Sequence, residues 1–270
     1  MLGMIRSLLV IGLLGCVGLL APAYAAAVEP LLLNSEQRAW LDQHRQLRVG
    51  VVVQAPFVQF DRRLQQLSGL NVELMTWLAS ALQVELMWQQ YADQAALETA
   101  VRKGLVDLAP GLSQTPAGLR LWLYSDPYMR VPQLLVGARN GGTAVELEQL
   151  SPIEPVAVRM PSVVADYLRG TYLNLSLQGV SGERQALRQV LSQQVRYAVI
   201  DEAQFSRLAR ESEFAELAVV ADIGLPQLLR VASRRDWPQL SGLIDSALRS
   251  LSPKQLDQLR GRWLQLKYPR

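Results

Sequence analysis

Cysteine occurs once in the 270 residues, at Cys16, and histidine once, at His44. One thiol cannot build a disulfide framework, and one thiol with one imidazole offers no metal-ligand spacing. No metal or other cofactor is therefore expected. Catalysis is poorly served as well: His44 sits in a polar stretch expected to face solvent, and no two groups read as a paired acid and base. Aromatic residues make up 7% of the chain. They are scattered, and Trp77, Trp122 and Trp263 fall in helical apolar patterns that suit core packing. An excess of one charge is also missing, since 27 basic and 24 acidic residues leave a formal +3. Basic residues are interleaved with acids, which argues against nucleic acid as a partner. Arg184, Arg188 and Arg196 read as a solvated helix face and its exit.

Long apolar runs are confined to the start. Arg6, an apolar core over residues 8–20, the breaker Pro22 and the small-residue site Ala23-Tyr24-Ala25 have the form of an export signal, residues 1–25. The core contains three glycines and falls short of the roughly 20 apolar residues that span a bilayer. Leu13-Leu14-Gly15-Cys16 also resembles a lipoprotein site, but the core ahead of it is short and the residues behind it stay apolar. The expectation is an exported, periplasmic protein, with anchoring at Cys16 the lesser alternative. About 245 residues remain after cleavage, enough for one large domain or two lobes.

The rest is organised around residues 106–128, VDLAPGLSQTPAGLRLWLYSDPY. A short apolar run halted by Pro110-Gly111 reads as a buried strand of an α/β sheet, and ligands of such sheets sit beyond the carboxyl ends of the strands. Gly111 permits close approach of backbone, Leu112 offers backbone groups, and Ser113 and Thr115 supply hydroxyls. Thr115 has the alternative of capping the next turn.

Either side of this ledge the pattern alternates. Asn34-Ser35-Glu36-Gln37 announces a capped helix, residues 47–53 a β-branched strand, and Val72, Met75, Leu78, Ala79 and Leu82 a helix with one apolar face. Residues 84–88 form a second strand, residues 95–103 a second helix closed by Gly104. After residue 134 the same grammar recurs: strand 156–158, a helix to Leu168 with Gly170 beyond it, helix 184–193, strand 197–200, helix 204–210, strand 217–220 and strand 228–232. Two helices close the chain, the second opened by Ser252-Pro253.

The ordered set G-L-S-x-T-P at 111–116 followed by S-D-P-Y at 125–128 resembles the periplasmic solute-binding proteins of family 3, the amino-acid-binding type, over residues 47–263. The resemblance implies an α/β fold of two lobes, type II, each a mainly parallel sheet flanked by helices, with a two-crossing hinge. Residues 26–46 are then a lead-in, 47–138 and 226–270 the first lobe, and 139–225 the second. It further implies a ligand between the lobes, with Phe57 as an aromatic wall and Ser113 as a hydroxyl donor. Ser162 would hold the second lobe's hydroxyl position and Asp201 the acid that receives an ammonium. For Phe57 core packing is the alternative, and for Asp201 a helix cap.

Two departures stand against an ordinary amino-acid site. The family's amino-acid binders place an arginine clamp three residues beyond Thr115, where this chain has Gly118; Arg120 lies two residues on, about 200° round a helix. Pro161 stands where an amide donor is expected. The ligand expected is small and polar, cationic or neutral, unless Arg120 or Arg159 approaches from another angle. The expected role is ligand capture by a monomer for membrane transporter subunits. The alternatives are a sensory module acting through a sensor kinase, which the segment 33–51 also resembles, and, more weakly, a dehydratase-like enzyme.

Overall fold

In the computed structural model, residues 31–140 and 146–264 are described. The expected export signal and Cys16 lie outside them, as do Gly141 and Gly142, which with Arg139 and Asn140 form a turn cluster in the sequence. Helix α1 (Ser35–Gln43) begins as its sequence dictates: the Asn34 side chain accepts the Gln37 N–H at 2.8 Å, and Gln37 Oε1 accepts the Asn34 N–H at 3.0 Å. The β-branched run that follows is β1 (Gln46–Val52). A small hairpin, β2 (Gln59–Asp61) and β3 (Gln66–Ser68), precedes α2 (Leu70–Leu82), and the sequence pattern does not announce it. Strand β4 (Glu85–Tyr91) runs parallel to β1 from Gln46 against Glu85 to Val52 against Tyr91. Helix α3 (Gln94–Arg102) is capped by Asp93 and leaves through Gly104 at φ +68°. It leads to β5 (Leu108–Leu112), parallel to β1 on its other side.

A 3-10 turn (Gly118–Arg120) and β6 (Trp122–Tyr124) follow, then β7 (Met129–Ala138). The second half contains β8 (Val156–Arg159), α4 (Val163–Thr171), β9 (Leu177–Val180), α5 (Glu183–Leu191), β10 (Tyr197–Asp201) and α6 (Glu202–Leu208). Strands β8, β9 and β10 are mutually parallel, with β8 central. Strand β11 (Leu217–Arg234) is followed by α7 (Pro238–Ser250) and α8 (Pro253–Trp263), the last with a Ser252–Gln255 capping box and Pro253 in its first turn.

One curled sheet, β4-β1-β5-β11-β7-β10-β8-β9 with β6 also on β11, connects two bodies. The first buries Val49, Leu74, Leu78, Leu229, Leu243 and Ile244 together, so the closing helices complete it. The second has a core on each sheet face, one holding Val136, Ile200, Phe205 and Phe214, the other Leu135, Val158, Leu168 and Val199. Strands β7 and β11 traverse both. Met129 and Val131 belong to the first core, and Leu134, Leu135 and Val136 to the second body's two cores. On the return, Ile223 still packs in the second body and Leu229 in the first, with the register shifted between Asp222 and Pro226.

Four local expectations need correction. Pro110-Gly111 does not end β5, because Pro110 lacks only its own N–H and a register shift between Arg230 and Val231 in β11 absorbs the irregularity. Strands 217–220 and 228–232 are one continuous strand, since the stretch between them keeps pairing with β7. Gly170 lies inside α4, where nothing packs against it. Trp122 is fully buried, as expected of a core residue, but on a strand and not a helix.

Candidate functional site

Parallel pairing sends the carboxyl ends of β1 and β5 to one edge of the first body, and those of β8 and β10 to one edge of the second. At the first edge Gly111 has φ +81°, and a Cβ there would lie 2.3 Å from Asn71 Nδ2. Only glycine accommodates both the backbone and that neighbour. Asn71 is buried on α2; its Oδ1 accepts the Tyr128 hydroxyl at 2.6 Å and its N–H donates to Phe57 O at 2.9 Å. Burial drives the Tyr128 hydroxyl far above the usual tyrosine range, so it remains a donor. Asn71 and Tyr128 thus fasten the ledge to the loop after β1. Sequence reasoning missed both in this role, although an asparagine on an apolar helix face is a usable signal.

Phe57 itself is 9% exposed and belongs to the first core. Leu112 packs at the margin of a smaller core around Leu97 and Trp122. Ser113 Oγ is buried without a hydrogen-bond partner among the described residues. Thr115 takes the capping alternative, its Oγ accepting the Gly118 N–H at 2.9 Å. Arg120 stands exposed on the 3-10 turn, outside these contacts.

On the second edge, Ser162 caps α4, its Oγ accepting the Ala165 N–H at 3.1 Å. Arg159 and Glu183 pair at 3.3 Å. Asp201 ends β10 and caps α6, with Oδ1 accepting the Gln204 N–H at 2.8 Å. Burial pushes the Asp201 carboxyl up to about 7, and Glu183 adds repulsion, while the Gln204 amide and Arg159 act in the opposite direction.

The two edges meet through α6. Gln204 Nε2 donates to Ala55 O, in the loop after β1, and Arg207 Nη2 donates to Gln204 Oε1 at 3.3 Å. Ala203 is buried in the first core, and Glu202 lies 3.8 Å from Arg260 on α8. Contacts therefore run from Gly111 through Asn71, Phe57 and Ala55 to Gln204 and Asp201. Gly111, Phe57 and Asp201 are brought to one seam; Ser162 shares its second-body edge, and Arg120 does not join it.

His44, expected in solvent, is half-buried: its ring stacks on Trp40 at 3.9 Å and meets Trp237 edge-on at 4.7 Å, with Nδ1 2.8 Å from Trp40 O. The lead-in is docked on the first body, and that contact is invisible from local polarity.

Among curated proteins the chain is similar to the virulence sensor protein BvgS of Bordetella pertussis strain Tohama I, 22% identical over 246 residues. That match covers 90% of this chain and 19% of the sensor's length. The solved periplasmic VFT2 domain of BvgS superposes with a TM-score of 0.77 at 21% identity, covering 86% of this chain and 99% of the domain. An ancestral amino-acid-binding protein, described as a precursor of cyclohexadienyl dehydratase, gives 0.69 at 21% identity over 84% of this chain and 98% of that one. At these identities the structural likeness is one of fold, the Venus-flytrap type II arrangement of two α/β lobes. With the family model matching residues 47–266, the chain belongs to the bacterial extracellular solute-binding proteins, family 3.

Proposed function

We propose that the chain is a periplasmic binding protein whose lobes shut on a small polar ligand, cationic or neutral, without making or breaking a bond. The observation that carries this is the seam linking Gly111, Phe57 and Asp201. A ligand that touches both lobes only when they are shut has the differential affinity needed to shift the population. Asp201 supplies an acid, and Ser113 a buried hydroxyl whose hydrogen bond is unmade. Tyr124, rather than a guanidinium, fills the space beside Gly118, so a bare carboxylate has no clamp there and is costly to bury. Ser162 and the backbone of Leu112 belong to the same proposed cleft; Arg120 would enter it only by a rearrangement of its turn.

The family name supports solute capture for membrane transporter subunits. The likeness to BvgS and the docked lead-in favour a second reading, a sensory module that acts through a sensor kinase. A thermal-shift screen of the exported protein over a metabolite library, followed by titration calorimetry with amino acids and polyamines, tests the binding reading. Tight binding of an ordinary neutral or acidic amino acid would overturn the ligand class. Sequencing the neighbouring genes, for transporter subunits or for a kinase, decides between delivery and sensing.

A further inference from the structure

Gln204 is 3% exposed and held at three points. Its N–H is fixed by Asp201 at 2.8 Å, its Oε1 receives Arg207 at 3.3 Å, and its Nε2 donates across the seam to Ala55 O. That last bond joins a side chain of the second lobe to the backbone of the first, at the loop that also contains Phe57. A backbone carbonyl in such a place has to be partnered when the lobes shut, because an unmade bond there costs its full desolvation.

We infer that Gln204 is the specificity-determining residue of the cleft: its carboxamide supplies the donor for Ala55 O, and a ligand entering there competes with it by bringing an N–H donor of its own. The inference rests on the proposed binding role of the seam and narrows its ligand to amines, amidines or carboxamides, to the exclusion of acceptor-only anions. Neighbouring chemistry agrees. Asp201 and Glu183 place carboxyl groups on the second-lobe edge, the latter paired with Arg159, while Arg207 is already engaged with Gln204 and Glu211. A ligand N–H that takes Ala55 O releases the Gln204 side chain, whereas a ligand carboxylate would face that carbonyl oxygen with no hydrogen to share.

The test places spin labels on the exposed positions Ala92 and Asn174, one per lobe, through A92C and N174C in the exported protein. Double electron–electron resonance then reads the lobe separation in the parent, in Q204A and in Q204M, the last keeping most of the side-chain volume while removing the donor. Both variants are expected to lose shut population by on the order of tenfold. Acetamide, the fragment deleted in Q204A, is expected to restore the short distance in that variant, and acetate, similar in size but without N–H, is not. A distance distribution in Q204M unchanged from the parent would show that packing alone holds the seam and would overturn the inference. So would opening of Q204A that acetamide leaves unreversed, or that acetate reverses equally well. If the labels respond as expected while no library compound binds parent or variants, the binding role fails and the assignment of Gln204 as specificity-determining is overturned with it, leaving Gln204 as a latch between the lobes.

Discussion

The hydroxyl of Tyr124 lies where a side chain on Gly118 would have to begin: a Cβ at that position stands 2.1 Å from Tyr124 Oη and 2.9 Å from Thr115 Oγ. The space that an arginine would need is therefore filled from β6, and the turn is tied by the Thr115 cap.

Substituting G118R alone should destabilise the protein by about 1–3 kcal/mol through overpacking and should confer no amino-acid binding. Adding Y124A should recover most of that loss. Chemical denaturation of the single and double variants, with glycine or glutamate titrated into each, checks both parts. A single variant as stable as the parent would contradict the steric account.

At the ledge, G111A meets a positive φ and the Asn71 amide simultaneously. The expected cost is about 2 kcal/mol or more, read as a lower urea midpoint with unchanged slope. N71A should weaken the same ledge by freeing the buried Tyr128 hydroxyl, and Y128F with N71A should cost less than the sum of the separate losses.

Asp201 predicts a pH dependence of definite sign. Its carboxyl is raised from 3.8 to about 7 in the folded chain, so the native state holds a proton that the unfolded state has lost between those values. The stabilisation is complete below about pH 4 and vanishes as pH rises through about 7. D201N should flatten this slope and gain on the order of 3 kcal/mol over the parent at pH 7.5. Asp107, Glu211 and Glu213 are shifted downward, so their contributions disappear only at more acid pH. Urea midpoints of parent and D201N from pH 4.5 to 8 separate the two effects; parallel curves would contradict the assignment.

Asp107 is buried between two guanidinium groups, with Arg48 Nη2 at 2.7 Å and Arg234 Nη1 at 3.1 Å. Desolvation alone would raise its carboxyl, but hydrogen bonds from Arg48 and Arg234 outweigh it and hold the group below the ordinary range. D107A should cost about 3 kcal/mol, since it leaves the Arg48 amide and guanidinium without their acceptor and Arg234 with Asp236 alone. Calorimetric unfolding of the variant, at pH 7 and away from any cleft ligand, measures it.

Much of the fold was legible because its signals are local. The Asn34 and Ser252 caps, the left-handed exit at Gly104 and the apolar face of α2 each depend on residues within a few positions of one another. Strands β9 and β6 were not legible, because each forms a strand through a partner distant in sequence, and the β2–β3 hairpin was not, because its strands are only three residues long. Residues 122–124, for example, pair with 232–234 of β11. Gly170 inside α4 defeats the local rule since an exposed glycine costs a helix only about 1 kcal/mol relative to alanine.

The candidate site divides in the same way. Sequence by itself determined that small and polar residues lie at or just beyond the carboxyl ends of strands, at Gly111, Ser113, Ser162 and Asp201, and that no arginine stands at position 118. Only the tertiary structure decided that Tyr124 fills that place, that Asn71 lies over Gly111, and that Gln204 reaches Ala55. Propensity and periodicity act over single turns and strands, whereas these contacts exist only once two bodies built from separate stretches of chain have been folded against each other.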